Sequence, residues 1–316
     1  MQQIDDCARV TAELAGQRLD QAAARLFADY SRSRLKTWIL SGELRVNGAL
    51  CQPRHKLSVG DQLTLRAVPD ADERWQAQPL GLSVVYEDAA LLVIDKPAGL
   101  VVHPAAGHRD GTLLNALLHH CAGLAAVPRA GIVHRLDRDT TGLMVVAKTL
   151  ASHASLVAQL QARSVKRRYQ AVVNGTLRAG GTINEPMGRH PVQRTRMAVV
   201  RAGGKEAITH FRIGERFPAH TLLNIDLETG RTHQIRVHMA YLGHPLVGDP
   251  VYGGRLRLPP GAPEPLREAL LGFRRQALHA WHLALCHPDT GRGMAWEAPL
   301  PADLGELLQA LREARA

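Results

Sequence analysis

The segment Gly131 to Thr149, GIVHRLDRDTTGLMVVAKT, gathers more chemically capable side chains than any other stretch of the chain. A strand-like Gly131-Ile132-Val133 leads into His134, Arg135, Asp137, Arg138, Asp139, Thr140 and Thr141, and the apolar run Leu143 to Ala147 leads out. Polar groups between two apolar runs read as a loop held by a rigid scaffold, where catalytic side chains gather. A carboxylate placed there acts as a nucleophile, as a base or through its charge. By residue type alone, an Asp beside an Arg is more often a structural ion pair. Asp137 and Asp139, two apart, also fit a carboxylate pair for glycoside hydrolysis, although arginine-rich surroundings suit a polyanion better than a neutral sugar. A second polar stretch, TGRTHQIRVH, carries Arg231, His233 and His238. The two histidines are five apart, which matches neither a helical i, i+4 zinc pair nor one face of a strand, so no metal site is expected.

The charge balance names the partner class. Across 316 residues, 39 Lys plus Arg face 29 Asp plus Glu, a formal +10. Such an excess attracts a polyanion, RNA or DNA. The four cysteines, Cys7, Cys51, Cys121 and Cys286, form no CxxC pair, so neither a disulfide framework nor a thiolate zinc site is expected. The N-terminus has acids where a signal peptide would be basic, and no apolar run approaches the roughly 20 residues that span a bilayer. A soluble, cytoplasmic protein with no membrane partner is the expectation.

Elements must position these residues. Leu19, Ala22, Ala23 and Leu26 recur at helical spacing, and a second periodic stretch runs from Ser33 to Ile39, ended by Gly42. Leu44, Val46, the Asn47-Gly48 turn, Leu63 and Leu65 read as short strands, giving a small helix-helix-hairpin module. Arg32, Arg34 and Lys36 crowd the start of its second helix, and Arg45 follows near the turn, a natural phosphate-contacting set. The polar, proline-bounded PDADERWQAQP looks like a linker. The expected organisation is 1–68 for the small module, 69–80 for the linker and 81–316 for the large domain. In the large domain, Leu91 to Ile94, Gly142 to Ala147, Tyr169 to Val173 and Thr221 to Leu227 read as strands, and Leu113 to His120 and Ala151 to Ala162 as helices. Without regular βαβ spacing, an α+β fold with a mixed, largely antiparallel sheet and helices on its faces is expected. Gly253 to Pro265 reads as an exposed loop. Lys166, Arg167 and Arg168 precede Tyr169 and would draw phosphates toward the loop of Asp137.

HRLDRDTTG resembles the HRLDxxTSG signature of the RluA family of pseudouridine synthases. DKPAGLVVHP (Asp95 to Pro104), KRRYQAVVNG (Lys166 to Gly175) and TGRTHQIRVHMAYLGHPLVGDPVYGG (Thr229 to Gly254) are similar to the other family motifs, in the same order. DTTGLMVVAKT and EPMGRHPVQRTRMAV are nearest the RluD type, which modifies a stem-loop of large-subunit ribosomal RNA; Thr141 stands where the wider signature has Ser. RLDQAAARLF, SRSRLKTWILSGELRVNG and a later GDQL resemble an S4 RNA-binding domain, a small N-terminal α/β module.

The resemblance implies the pseudouridine synthase fold and isomerisation of uridine to pseudouridine. It also implies catalytic roles for Asp137, Tyr169 and Arg236: the carboxylate, the aromatic partner of the flipped base and the basic residue paired with that carboxylate. Arg135 would displace the base and fill its place, and His134, Thr140, Lys96, His103, Arg231 and His233 would line the substrate site. Arg32, Arg34, Lys36, Arg45, Lys166, Arg167 and Arg168 would hold RNA. Each role fits its residue: an arginine beside Asp137 favours the charged carboxylate, an aromatic ring offers a stacking face, and a base in a stem-loop must leave its stack at a cost of a few kcal/mol. The reaction needs no cofactor, and no GxxxxGK or GxGxxG occurs. The implied partner is large-subunit ribosomal RNA or the pre-ribosomal large subunit, met by a monomer. A non-enzymatic assembly factor that only binds RNA is the competing class.

Overall fold

The computed structural model describes residues 4–27, 30, 32–67, 75–104, 108, 110–256 and 258–314. The chain separates into two compact units, residues 1–74 and 75–316. Residues 69–74 of the expected linker lie outside the described residues. Its remainder belongs to the large unit: Asn115 Nδ2 donates to Gln76 O at 2.8 Å and Gln78 N donates to Asn115 O at 3.0 Å, which ties this polar stretch to Asn115.

The small unit contains β1 (Ile4–Arg9), α1 (Leu19–Leu26), α2 (Arg32–Ser41), β2 (Leu44–Val46) and β3 (Gln62–Ala67). Its sheet is antiparallel in the order β1-β3-β2. Leu19, Ala22 and Ala23 of α1 and Leu35, Trp38 and Ile39 of α2 are buried against Leu44, Val46, Leu63 and Leu65. Asn47 and Gly48 take φ of 51° and 76° and return the chain over a two-residue turn that Val46 and Ala49 close as a single antiparallel bridge, while the ladder of β2 is made with β3, beyond Gly60. β1 escapes sequence reading because IDDCAR buries little: five of its six residues are polar or small, and its pattern of exposure shows no clean alternation.

The large unit is built on β4 (Val84–Glu87), β5 (Leu91–Lys96), α3 (Leu113–His120), β6 (Thr141–Ala147), α4 (Leu150–Gln161), β7 (Lys166–Asn174), β8 (Gly181–Asn184), β9 (Met187–Arg189), β10 (Met197–Val199), β11 (Ile208–Arg216), β12 (His220–Leu227), α5 (Gln234–Tyr241), α6 (Glu264–Gly272), β13 (Leu278–Cys286), β14 (Gly293–Glu297) and α7 (Ala302–Glu313). Nine of these strands form one mixed sheet in the order β4-β5-β6-β13-β7-β12-β11-β8, with β14 also on β13. Its β6 to β13 pairing is parallel and its others are antiparallel. β9 and β10 pair as a separate hairpin.

The two-residue period of the strands separates the core into layers. Met144 and Val146 of β6 and Ala171 and Val173 of β7 join Leu113, Leu114 and Leu117 of α3 and Ile235 and Met239 of α5 on one face. Leu143 and Val145 turn to the other face with Leu156 of α4, and Val172 packs with Leu266, Leu270, Leu304 and Leu308 of α6 and α7. The expected exposed loop is shorter than 253–265, because Pro263 caps α6 and Glu264 and Pro265 start it, a position that tolerates a missing N–H.

Candidate active site

The loop that carries Asp137 owes its position to a split in the sheet. β13 touches β6 only at His279 with Thr141 and Ala280 with Gly142, and then diverges. The freed edge of β6 is covered by the loop itself: Ile132 bridges Val146, and His134 Nε2 accepts the Val145 N–H at 3.1 Å. Accepting that N–H requires an unprotonated Nε2, and burial holds His134 at about 3. Two glycines make the crossing possible. A Cβ on Gly131 (φ 78°) would lie 1.9 Å from Ala147 O, and one on Gly142 (φ 112°) would lie 2.2 Å from Ala280 O. Thr140 closes the turn: its N–H donates to Asp137 O at 3.1 Å and its hydroxyl accepts from Gln276 Nε2 at 3.0 Å.

Opposite this loop, α5 presents Arg236. Gln234 pins the approach to the helix: its Oε1 accepts from the Thr229 hydroxyl and from Arg231 N, and its Nε2 donates to Ile208 O and Thr209 Oγ1. His233 then takes a left-handed backbone (φ 59°, ψ 22°) at the helix start. Arg236, 5% exposed, donates Nη1 to Asp137 Oδ2 at 2.9 Å. Its other edge grips Asp249, Nε to Oδ2 at 2.7 Å and Nη2 to Oδ1 at 2.9 Å. Asp249 is fully buried and also accepts from Val251 N and Tyr252 N. Arg236 holds its proton more firmly than usual because both carboxylates outweigh burial, and its guanidinium pulls Asp249 below the ordinary carboxylate range. The two-sided grip fixes the direction of the third bond, so Asp137 meets a guanidinium that cannot swing away.

Asp137 and Arg236 line a cavity of about 580 Å³ together with Tyr169, Arg135, His134, Thr140, His103, Arg231 and His233, a size that suits a small-molecule-sized group. Tyr169 is a buried neighbour on β7, and burial raises its phenol above the ordinary value. Arg135 is exposed on the cavity lining. Six arginines, 129, 135, 163, 167, 231 and 236, share the lining with two acids, Asp137 and Glu228. The lining is thus an anion-attracting surface with one carboxylate bound at its arginine anchor. His103 has a buried Nε2 without a hydrogen-bond partner among the described residues, and burial lowers it to about 4.

Several sequence expectations change. Lys96 is off the cavity lining: its side chain is fully buried, and Nζ donates to Pro97 O, Leu100 O and Arg138 O at 2.7, 3.0 and 2.7 Å. A buried ammonium must place its three donors, and here they tie β5 to the loop of Asp137; burial brings it to about 8. The Lys166, Arg167 and Arg168 cluster is divided by strand alternation. Arg167 lines the cavity, whereas Arg168 lies on the other face and pairs with Asp226 at 3.1 Å; Lys166 is exposed and also off the lining. Asp137 and Asp139 occupy a loop rather than one face of a strand, and Asp139 is off the cavity lining and pairs with Arg138 at 3.1 Å. In the small unit Arg32 binds the buried Asp20 at 2.5 Å, Arg34 lies over the Trp38 ring at 5.2 Å, Arg45 donates to Gly42 O at 3.0 Å, and Lys36 is exposed. No group of three or more His, Cys, Asp or Glu able to hold a metal occurs among the described residues.

Asp249 and Tyr252 were not singled out from sequence. Both stand in GHPLVGDPVYGG, where a lone Asp in an apolar, glycine-rich run is a signal for a buried partner. Helix α5 was also missed, because Gln234, Arg236 and His238 alternate with Ile235, Val237 and Met239, the two-residue period of a strand, over too short a run to show a helical face.

Residues 90–241 match the model for RNA pseudouridylate synthase, and residues 17–63 match the S4 domain. The chain is 62% identical over 312 residues to a protein of Pseudomonas aeruginosa called ribosomal large subunit pseudouridine synthase D, covering 99% of this chain and 97% of that one. It is 55% identical to the Vibrio parahaemolyticus protein of the same name, over 94% of this chain and 92% of that one. The solved structure of human RNA pseudouridylate synthase domain containing 4 shares the fold, with a TM-score of 0.56 and 23% identity over 73% of this chain and 93% of that one. The chain belongs to the RNA pseudouridylate synthase family and is an RNA pseudouridine synthase that carries an S4 domain at its N-terminal end.

Proposed function

We propose that this chain isomerises specific uridines to pseudouridine in a stem-loop of large-subunit ribosomal RNA. The observation that carries the reading is a carboxylate with one oxygen fixed by a buried arginine and the other left toward an arginine-lined cavity beside a tyrosine ring. In the reaction the bond between C1′ and N1 breaks, the uracil turns while captive, and C5 joins C1′, with the proton displaced from C5 replaced by one at N1. Asp137 acts on the sugar through its free oxygen. Arg236 holds that carboxylate charged and oriented, Tyr169 keeps the detached base in place, and Arg135 fills the stack the base vacates. His103, Arg167 and Arg231 line the path of the RNA backbone, and Arg34, Lys36 and Arg45 give the S4 domain its phosphate contacts.

The enzyme works as a monomer, and it works in the cytoplasm, where its four free cysteines meet a reducing medium. No helix among the described residues is long and apolar enough to cross a membrane. The test is carbodiimide-stop mapping of large-subunit ribosomal RNA from cells with and without the protein. The reading expects defined stops in one stem-loop that vanish without the protein and return with the wild-type chain but not with Asp137→Asn. Unchanged stops would refute it.

A further inference from the structure

One ring in the cavity has its hydrogen-bonding sense fixed by its neighbours. Met197 N donates to the Tyr252 hydroxyl oxygen at 3.0 Å, and that oxygen lies 2.8 Å from His233 Nδ1. The amide can only donate, and Met197 N and Nδ1 are the hydroxyl's only hydrogen-bond partners among the described residues, so the phenol places its own proton on Nδ1, the one acceptor it meets. Burial lowers His233 below the ordinary histidine range, which keeps the ring neutral. A neutral imidazole that accepts at Nδ1 carries its proton at Nε2. The left-handed backbone of residue 233 turns this N–H toward Asp137, where Nε2 stands 3.9 Å from Oδ1.

That distance is too long for a direct hydrogen bond. It separates a donor that cannot accept from a carboxylate oxygen that cannot donate, and Arg236 is on the other carboxylate oxygen. An atom about 2.8 Å from both would satisfy them together only if it accepts from one and donates to the other. A hydroxyl does this through a single oxygen. The uracil carbonyls only accept, and its ring N–H only donates. In a nucleotide within an RNA chain the 3′ and 5′ oxygens are esterified, so the ribose 2′-hydroxyl is the one hydroxyl left, and it sits one carbon from the bond that breaks.

We infer that His233 is a specificity-determining residue that, with Asp137 Oδ1, clasps the 2′-hydroxyl of the target nucleotide, and that Tyr252 is the positioning residue that sets its tautomer. The clasp places C1′ beside Asp137 and discriminates ribose from deoxyribose at that one position. It rests on the proposed function, since it takes the target to be a uridine in RNA.

The experiment compares kcat/KM on a stem-loop RNA with uridine at the target and on the same RNA with a single 2′-deoxyuridine there. Wild-type enzyme should favour the ribose by about tenfold, the scale of one hydrogen bond whose loss leaves a partner unpaired. His233→Asn keeps a residue that tolerates the left-handed backbone but shortens its reach, and it should narrow the preference to about threefold or less by slowing the uridine substrate alone. Tyr252→Phe keeps the ring beside Arg196 and Arg236 and should narrow the preference likewise. A preference unchanged in both variants, or none in wild type, would overturn the inference. Failure of wild type on the all-ribose RNA would overturn the proposed function and this inference with it.

Discussion

Two arginine-carboxylate systems lie on opposite faces of one sheet and teach what a charged pair is for. On the cavity face, Arg236 is 5% exposed and bridges Asp137 and Asp249. On the other face, Arg168 and Arg212 share Asp226, at 42%, 72% and 35% exposure. The residue types and the distances, near 3 Å, are the same. Water screens the second system, so its ions lose little when parted. The first has lost most of its water, and each ion depends on the others for solvation. Such an arrangement holds a carboxylate in one place while leaving one oxygen free, which an exposed pair on mobile side chains does not achieve.

Removing the bridge should produce the largest effect. Arg236→Gln strands two carboxylates in a buried site, and we expect about 3–5 kcal/mol of lost stability in urea unfolding and at least about a hundredfold lower kcat on a stem-loop substrate. Retained stability and activity would erase the contrast between the two faces. A smaller effect separates neighbours on β7. Arg167→Ala should weaken RNA binding severalfold and lower the salt dependence of the binding constant by about one unit of slope. Arg168→Ala should leave the slope unchanged and cost about 1 kcal/mol or less. A slope that falls equally in both variants would show that the RNA reaches both faces of the sheet.

The same comparison explains what the sequence made legible. The strands at Leu91, Gly142, Tyr169 and Thr221 were readable because their apolar runs are continuous, as strands covered on both faces require. The family motifs identified Asp137 and Arg236, which lie 99 positions apart and meet at 2.9 Å. Asp249 carries a weaker signal, a lone acid in an apolar, glycine-rich run, which points to a buried partner without saying that the partner is Arg236. Lys96 shows the converse: the resemblance implies a substrate contact, whereas its three donors end on main-chain carbonyls, which no local pattern of residues discloses. Lys166, Arg167 and Arg168 read as one basic patch, although the two-residue period of a strand was enough to divide them. Helices α6 and α7 cover the sheet with Leu266, Leu270, Leu304 and Leu308, an amphipathic pattern that sequence reading passed over because it lay beyond the last recognised motif.

The central claim is that the carboxylate of Asp137, anchored on one oxygen and free on the other, carries out the isomerisation. Single-turnover conversion of a stem-loop RNA by purified Asp137→Asn enzyme tests it most directly, because the amide keeps the shape and removes the charge. We predict RNA binding within about threefold of wild type and a rate of pseudouridine formation at least about a thousandfold lower. A rate within about tenfold of wild type would contradict the account.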